Sequence, residues 1–182
     1  GLAIVFIVAY IFLAKRNNTA GKLLAVLGAA AGVALSFMAG LSYVMSSIPA
    51  WNTVMFPVAY CSTAALVGIG FYLALAGMKR EITSEDSRVF LWMIVVASVI
   101  AIASTAVFFA GASKVGVAGW ILCTAIGGIA PLAISLVAMR QQSKITACAL
   151  AGTVAGLVGC IGVRVLMWLA GESLYSFIPM VM

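Results

Sequence analysis

The chain has 182 residues, of which 65% are hydrophobic and only 8% are charged. A soluble domain of this size needs more polar residues to cover its surface, so the composition excludes a water-soluble globular protein. The formal net charge of +6 does not indicate nucleic-acid binding, because the ten Lys and Arg residues lie mostly in short loops rather than along one face or in a basic tail. The expected surrounding is a lipid bilayer, and no nucleic-acid partner is expected.

Six apolar runs make up most of the sequence and predict an all-α, polytopic integral membrane bundle, with residues 1–182 as a single transmembrane domain. The runs are residues 1–14, 23–45, 51–78, 89–112, 115–139 and 145–170. A helix of about 20 apolar residues matches a hydrocarbon layer of roughly 30 Å, so the last five runs are long enough to span a membrane. The short loops predict that consecutive helices are antiparallel neighbours.

The first run, residues 1–14, is too short to cross a bilayer comfortably, and the chain opens with Gly rather than Met. A cleaved signal peptide is not expected, because the basic cluster follows this run instead of preceding it. We expect that the sequence is a fragment at its N-terminus, and that upstream residues complete the first helix and add others.

The distribution of basic residues predicts the orientation in the membrane. Eight of them lie in three alternate loops, at residues 15–22, 79–88 and 140–144, whereas the loop at residues 112–115 carries only Lys114. The segment after Ala170 carries none. By the positive-inside rule the three basic loops are cytoplasmic and the C-terminus lies outside, in a multi-pass protein of the inner (cytoplasmic) membrane.

Cysteine and histidine usage argues against a metal centre. Cys61, Cys123, Cys148 and Cys160 all fall inside apolar runs, and the chain contains no His. No metal site is therefore expected, and no b-type haem either, because imidazole is its usual ligand in helical bundles. Every acidic residue lies outside the apolar runs, which disfavours a proton-coupled carrier.

Arg164 is the one ionisable residue well inside a spanning run. It precedes Ala170 by six residues, or roughly 9 Å of helix at the usual rise per residue. One interpretation is that its side chain extends to the outer interface. The other is that it lines a polar pocket near the outer face, where it donates hydrogen bonds to a carbonyl oxygen or pairs with a carboxylate, such as that of Glu172.

The second loop has the most distinctive local sequence. Tyr43 is followed by the segment Ser46-Ser47-Ile48-Pro49-Ala50-Trp51 and then by Pro57. Pro49 is expected to end one helix and Trp51 to anchor the next at the interface. Pro57 is expected to bend the third helix and free a backbone carbonyl, as Pro131 is in the fifth.

Two further patterns concern packing and helix ends. Small residues recur every four positions at Gly28, Gly32, Ser36 and Gly40, which predicts a surface where another helix approaches closely. In the third loop, the polar stretch 83–86 is expected to cap a helix that starts near Val89.

On these residues, the chain resembles the anchor subunit of anaerobic dimethyl sulfoxide reductase, the DmsC family. The resemblance rests on the spacing Pro-x-Trp-x-x-x-x-x-Pro at Pro49, Trp51 and Pro57, and on a last helix in which Arg164 precedes the stretch Val165-Leu166-Met167-Trp168. It runs over the whole chain in helix order and loop length, and corresponds to the last six of the family's eight helices.

The resemblance implies a non-catalytic subunit that binds and oxidises menaquinol near the outer face. Electrons would pass to an iron-sulfur subunit and from there to the molybdopterin catalytic subunit, with both soluble subunits docked outside and no haem in the anchor. Tyr43, Trp51 and Arg164 are then candidate quinol-binding or docking residues. The family's carboxylate and His for quinol oxidation lie upstream of Gly1, and Cys160 stands in the region where an acidic residue often precedes the Arg.

Two alternatives stay open. One is a purely structural membrane anchor without a quinol site. The other is a small-solute transporter or channel, although hydroxyl side chains more often bond to their own helix than line a pore. The candidate pore-lining residues are Ser62, Thr63, Ser104, Thr105 and Thr124.

Overall fold

The computed structural model describes residues 18–45, 52–79, 82–111 and 117–170, and within these ranges it contains helices and no β-strand. The helices are α1 Asn18–Leu41, α2 Met55–Lys79, α3 Ser84–Gly111, α4 117–140 and α5 Ile145–Ala170. By length and composition, four of them can cross a membrane, namely α2 to α5. The prediction of an all-α, multi-pass membrane bundle is therefore confirmed.

The N-terminal part of the chain is described only in part. The predicted helix at residues 1–14 lies outside the described residues. Helix α1 begins at Asn18 and ends at Leu41, in place of the predicted 23–45, and its apolar portion is the shorter segment Val26–Leu41.

Helices α2, α3, α4 and α5 form a closed ring of neighbours. Helix α2 packs against α3 and α5, and α4 packs against the same two helices from the opposite side. Helix α1 packs on the outside of this ring, against α2. Because short loops join α2 to α3 and α4 to α5, these pairs are antiparallel, as the loop lengths predict.

The antiparallel arrangement gives the bundle two chemically different ends. We call one the basic end, because it carries Lys79, Arg88, Arg140 and Lys144. We call the other the aromatic end, because its buried cluster is formed largely by aromatic side chains. The aromatic members are Tyr43, Phe56, Tyr60, Phe108, Phe109 and Trp120. A second buried cluster, of aliphatic residues around Leu66, Leu73 and Leu91, fills the bundle towards the basic end.

Helix α3 begins at Ser84, five residues earlier than the predicted start near Val89. Thr83 precedes it as the cap: the Thr83 hydroxyl donates a hydrogen bond to an Asp86 carboxylate oxygen at 2.6 Å, and the Asp86 N–H donates to the Thr83 Oγ1 at 3.2 Å. This reciprocal pair satisfies an exposed N–H at the helix start. The predicted start was wrong because the apolar run marks the part of a helix in lipid, whereas the helix continues through polar residues.

The predicted bend at Pro57 is wrong. Helix α2 begins at Met55, so Pro57 lies in its first turn, where the missing N–H interrupts no helical hydrogen bond. The Thr53 carbonyl, which precedes the helix, accepts a hydrogen bond from the Phe56 N–H at 3.3 Å. Pro57 instead serves packing: a Cβ on Gly40 of α1 would lie 2.5 Å from the Pro57 Cα, so α1 approaches α2 closely there.

Helix α4 changes its hydrogen-bonding pattern ahead of Pro131. It begins as Val117–Trp120, continues as a π-helix over Ile121–Ile129, and ends as an α-helix over Ala130–Arg140. At the junction the Ala130 N–H donates to the Ala125 carbonyl, five residues earlier. Since a proline cannot donate to the carbonyl four residues before it, the wider turn accommodates Pro131. The expected disturbance at Pro131 thus takes the form of a π-helix.

Candidate functional site

The aromatic end brings together Tyr43 and Arg164, two of the three residues singled out in the sequence. The ring centroid of Tyr43 lies 6.1 Å from those of Phe56 and Tyr60 on α2, and 6.3 Å from that of Trp168 on α5. Arg164 lies one turn before Trp168, with its guanidinium carbon 4.7 Å from the centroid of the Tyr60 ring. Tyr60 therefore lies between the two predicted residues.

Arg164 is held by a π face and a sulfur atom. Its guanidinium is close enough to the Tyr60 ring for a cation–π interaction, and its Nη1 donates to the Cys160 Sγ at 2.7 Å. Arg164 is exposed, and its guanidinium has further N–H donors for another group. Glu172, the predicted local partner, lies outside the described residues, and so do Trp51 and Pro49.

A chain of aromatic contacts supports Tyr60 from behind. The Phe56 ring centroid lies 4.9 Å from that of Tyr60 and 5.3 Å from that of Phe108 on α3. From Phe108 the contacts continue at 5.5 Å to Phe109 and at 5.5 Å from Phe109 to Trp120 at the start of α4. These separations are typical of stabilising aromatic pairs. The floor of the site is thus formed by aromatic side chains of three helices, α2, α3 and α4.

Tyr60, Phe56 and Trp168 are site residues that the sequence reasoning missed. The available signal was spacing: Phe56 and Tyr60 are four residues apart on α2, and Arg164 and Trp168 are four apart on α5, so each pair shares a helix face. In the sequence alone, an aromatic site residue in an apolar run cannot be distinguished from one that faces lipid or packs in the core. Only the packing of α2 on α5 shows that these faces meet.

No family model, no curated protein and no solved structure matches this chain. The fold and the geometry of the aromatic end are therefore the observations of this molecule that bear on function.

The hydroxyl groups considered as pore-lining bond mainly to their own helices. Ser62 and Thr63 donate to the Ala59 carbonyl at 3.1 and 2.7 Å, and Ser104 donates to the Ile100 carbonyl at 2.7 Å. Thr124 has no hydrogen-bond partner within the described part of the chain. A cavity inside the ring beside Ser135 has a volume of about 10 Å³, which is room for roughly one water molecule. These features do not favour a pore through the described bundle.

Cysteine and acidic residues do not assemble into a metal site in the described ranges. No group of three or more His, Cys, Asp or Glu side chains comes together there. All four cysteines are free thiols, with Cys123 and Cys160 buried and Cys61 and Cys148 partly buried.

A groove of about 620 Å³ lies on the outside of the ring between α2 and α3. We call it the lateral groove. Its lining is apolar apart from the Ser62 hydroxyl, which is already bonded to its own helix. Its lining residues are Phe37, Val58, Cys61, Ser62, Ala65, Ile69, Val89, Trp92, Met93, Val96, Ala97 and Ile100. It shares no residue with the contacts around Tyr60 and is a separate feature of the fold.

Proposed function

We propose that this chain is the membrane anchor subunit of a molybdopterin-dependent respiratory reductase similar to dimethyl sulfoxide reductase. In this proposal it binds and oxidises menaquinol at the aromatic end and passes the electrons to an iron-sulfur subunit docked there. The observation that supports it most directly is the guanidinium carbon of Arg164, 4.7 Å from the centroid of the Tyr60 ring. The Tyr43 ring lies 6.1 Å from that of Tyr60 and 6.3 Å from that of Trp168.

The side chains at this end suit a flat ring that carries oxygen atoms at its edge. The planar guanidinium of Arg164 supplies several N–H donors in a fixed geometry, which match a quinol or quinone oxygen. Tyr43 and Trp168 supply aromatic surface at the same end of the bundle, and their rings are arranged edge to face at 81°. Arg164 fixes the ring's oxygen while the aromatic side chains bind its faces.

Oxidation of one menaquinol releases two electrons and two protons and yields menaquinone. In a complex of this kind, the iron-sulfur subunit would accept the electrons and supply them to the catalytic molybdopterin subunit. A positive guanidinium beside a quinol oxygen favours loss of its proton. The described residues of the aromatic end include no carboxylate or imidazole, so the protons pass to water at the interface or to groups beyond these residues.

Purification in a mild detergent tests the assignment. The native complex is solubilised, and the proteins that co-elute with this chain are identified by mass spectrometry and metal analysis. Co-elution of an iron-sulfur subunit and a molybdopterin subunit is expected. A partner-free protein that transports a small solute in reconstituted vesicles would establish the transporter alternative instead. A partnered complex without quinol oxidation would establish the structural anchor.

Substitutions at Arg164 then test the quinol site. In the purified complex, Arg164→Gln is expected to slow menaquinol oxidation about tenfold or more, because a charge-assisted hydrogen bond is lost. Arg164→Lys is expected to recover part of the rate, since it keeps the charge but not the planar fork. Arg140→Gln, at the basic end, is the matched control and is expected to leave the rate unchanged. Equal effects at both positions would contradict the proposed site.

A further inference from the structure

The lateral groove continues into a polar pocket at the basic end. This second pocket, of about 560 Å³, is lined by Ser84, Glu85 and Arg88 together with Val89 and Trp92. Val89 and Trp92 also line the lateral groove. A polar compartment and an apolar compartment therefore meet at one pair of side chains, on the outer surface of the bundle.

We propose that this composite site binds one zwitterionic phospholipid of the phosphatidylethanolamine class. The headgroup occupies the polar pocket and an acyl chain occupies the lateral groove. Nothing in this inference depends on the quinol site, which lies at the opposite end of the bundle.

The length of the lateral groove fits an acyl chain. From Val58 to Ile69 on α2, and from Val89 to Ile100 on α3, the helices rise by roughly 16 Å at 1.5 Å per residue. Because α2 and α3 are antiparallel, the α2 segment lies towards the aromatic end and the α3 segment towards the basic end, so the lining follows most of a hydrocarbon layer of roughly 30 Å. An acyl chain that begins beside Val89 and Trp92 therefore meets apolar lining along its whole length. The lining is also accessible from the lipid, since the Val89 and Trp92 side chains are 58% and 54% exposed.

The charges of the polar pocket select the headgroup. Arg88 presents a guanidinium, and Glu85, three residues earlier on the same helix face, presents a carboxylate. A phosphate accepts hydrogen bonds from the guanidinium, while a primary ammonium donates to the carboxylate. A phosphatidylglycerol headgroup has no cation for Glu85, and a phosphatidylcholine headgroup has a cation without N–H donors. Phosphatidylethanolamine alone among these three satisfies both side chains.

Native mass spectrometry of the full chain in detergent tests the proposal. The delipidated protein is titrated separately with phosphatidylethanolamine, phosphatidylcholine and phosphatidylglycerol of matched acyl chains. We expect one tightly bound phosphatidylethanolamine per chain, with affinity about fivefold higher than for the other two lipids. Equal binding of all three, or tighter binding of phosphatidylglycerol, would overturn the headgroup assignment.

Variants locate the binding site. Arg88→Gln and Glu85→Gln are each expected to weaken phosphatidylethanolamine binding about fivefold. Arg140→Gln, which removes a positive charge from another helix at the same end, is the matched control and is expected to have no effect. A similar loss in Arg140→Gln would mean general attraction to a basic surface and would overturn the site.

A photoreactive acyl chain gives a second test that requires no variant. Phosphatidylethanolamine with a diazirine on its acyl chain is expected to label peptides of α2 and α3 that line the lateral groove, and to spare α5. Labelling spread evenly over all helices, or exclusion of the probe by another segment of the chain, would overturn the proposal. If a menaquinone analogue displaced the bound probe, the lateral groove would be a quinone site, and the phospholipid proposal would be overturned.

Discussion

Arg164 and Tyr60 are in contact although 104 positions separate them in the sequence: the guanidinium carbon of Arg164 lies 4.7 Å from the centre of the Tyr60 ring. The contact joins the end of α5 to the start of α2. A cation in a spanning helix is costly unless it has a partner or reaches water. The π face of Tyr60 reduces that cost, and the position of Arg164 is therefore expected to depend on an aromatic ring at residue 60.

Substitution of Tyr60 tests this dependence. Tyr60→Leu is expected to lower the free energy of unfolding by about 1–2 kcal/mol, because the cation–π contact and the aromatic pairs are lost. Tyr60→Phe keeps the ring and is expected to lower it by less than about 1 kcal/mol. Reversible unfolding in mixed detergent micelles measures both. Equal stability of the two variants would show that the ring contributes nothing beyond its apolar volume.

The contact between α4 and α5 is expected to be sensitive to single methyl groups. A Cβ on Gly159 would overlap the backbone of Gly127 in the π-helical segment, whereas a Cβ on Gly68 meets no described atom within 4 Å. Gly159→Ala is therefore expected to lower the free energy of unfolding by about 1–3 kcal/mol. Gly68→Ala is the matched control and is expected to cause no loss, since Ala favours the helix more than Gly does.

The same unfolding assay in detergent micelles measures both alanine variants. A Gly159→Ala protein as stable as the Gly68→Ala protein would mean that α4 and α5 do not approach each other so closely.

Hydropathy located the helices but not their ends. The predicted helix at residues 145–170 coincides with α5, Ile145–Ala170. The prediction succeeds because a Lys directly precedes this helix and its apolar run is continuous. The predicted start near Val89 was wrong, since Ser84 to Arg88 are polar and yet helical. Apolar runs report depth in lipid, whereas helix ends depend on local caps such as Thr83.

Two residues of the candidate site were predictable from the sequence because each departs from its surroundings. Arg164 is recognisable because a charge in an apolar run is rare, and Tyr43 because it precedes a distinctive loop. The role of Tyr60 and the lateral groove were not predictable. The sequence of a membrane helix does not indicate whether a Tyr, Trp or Val side chain faces lipid or a particular neighbouring helix. The small-residue pattern predicted close packing along one face of α1. Among the described residues the structure shows it at Gly40, against Pro57, whereas a Cβ on Gly28 or Gly32 would meet no described atom within 4 Å.

Ser98 is expected to be a position where removal of a polar group stabilises the protein. Its side chain is fully buried in α3, and its hydroxyl has no hydrogen-bond partner among the described residues. Because an unpaired buried hydroxyl is unfavourable, Ser98→Ala is expected to raise the free energy of unfolding by about 1 kcal/mol. Ser104→Ala is the matched control, since the Ser104 hydroxyl bonds to the Ile100 carbonyl at 2.7 Å.

The free energies of unfolding of the two alanine variants are measured in mixed detergent micelles. A Ser98→Ala protein that is less stable than Ser104→Ala would indicate that a group outside the described residues bonds to Ser98.

The orientation predicted from the basic loops is testable by labelling single cysteines. In a background with its four cysteines replaced, Arg140→Cys lies at the basic end and Ser42→Cys, next to the exposed end of α1, lies at the aromatic end. A membrane-impermeant maleimide is expected to label the cysteine at position 42 in intact spheroplasts and the one at position 140 only in inverted vesicles, because basic loops remain cytoplasmic. The reverse pattern would place the aromatic end in the cytoplasm. The proposed electron-accepting partner would then have to dock on the cytoplasmic face.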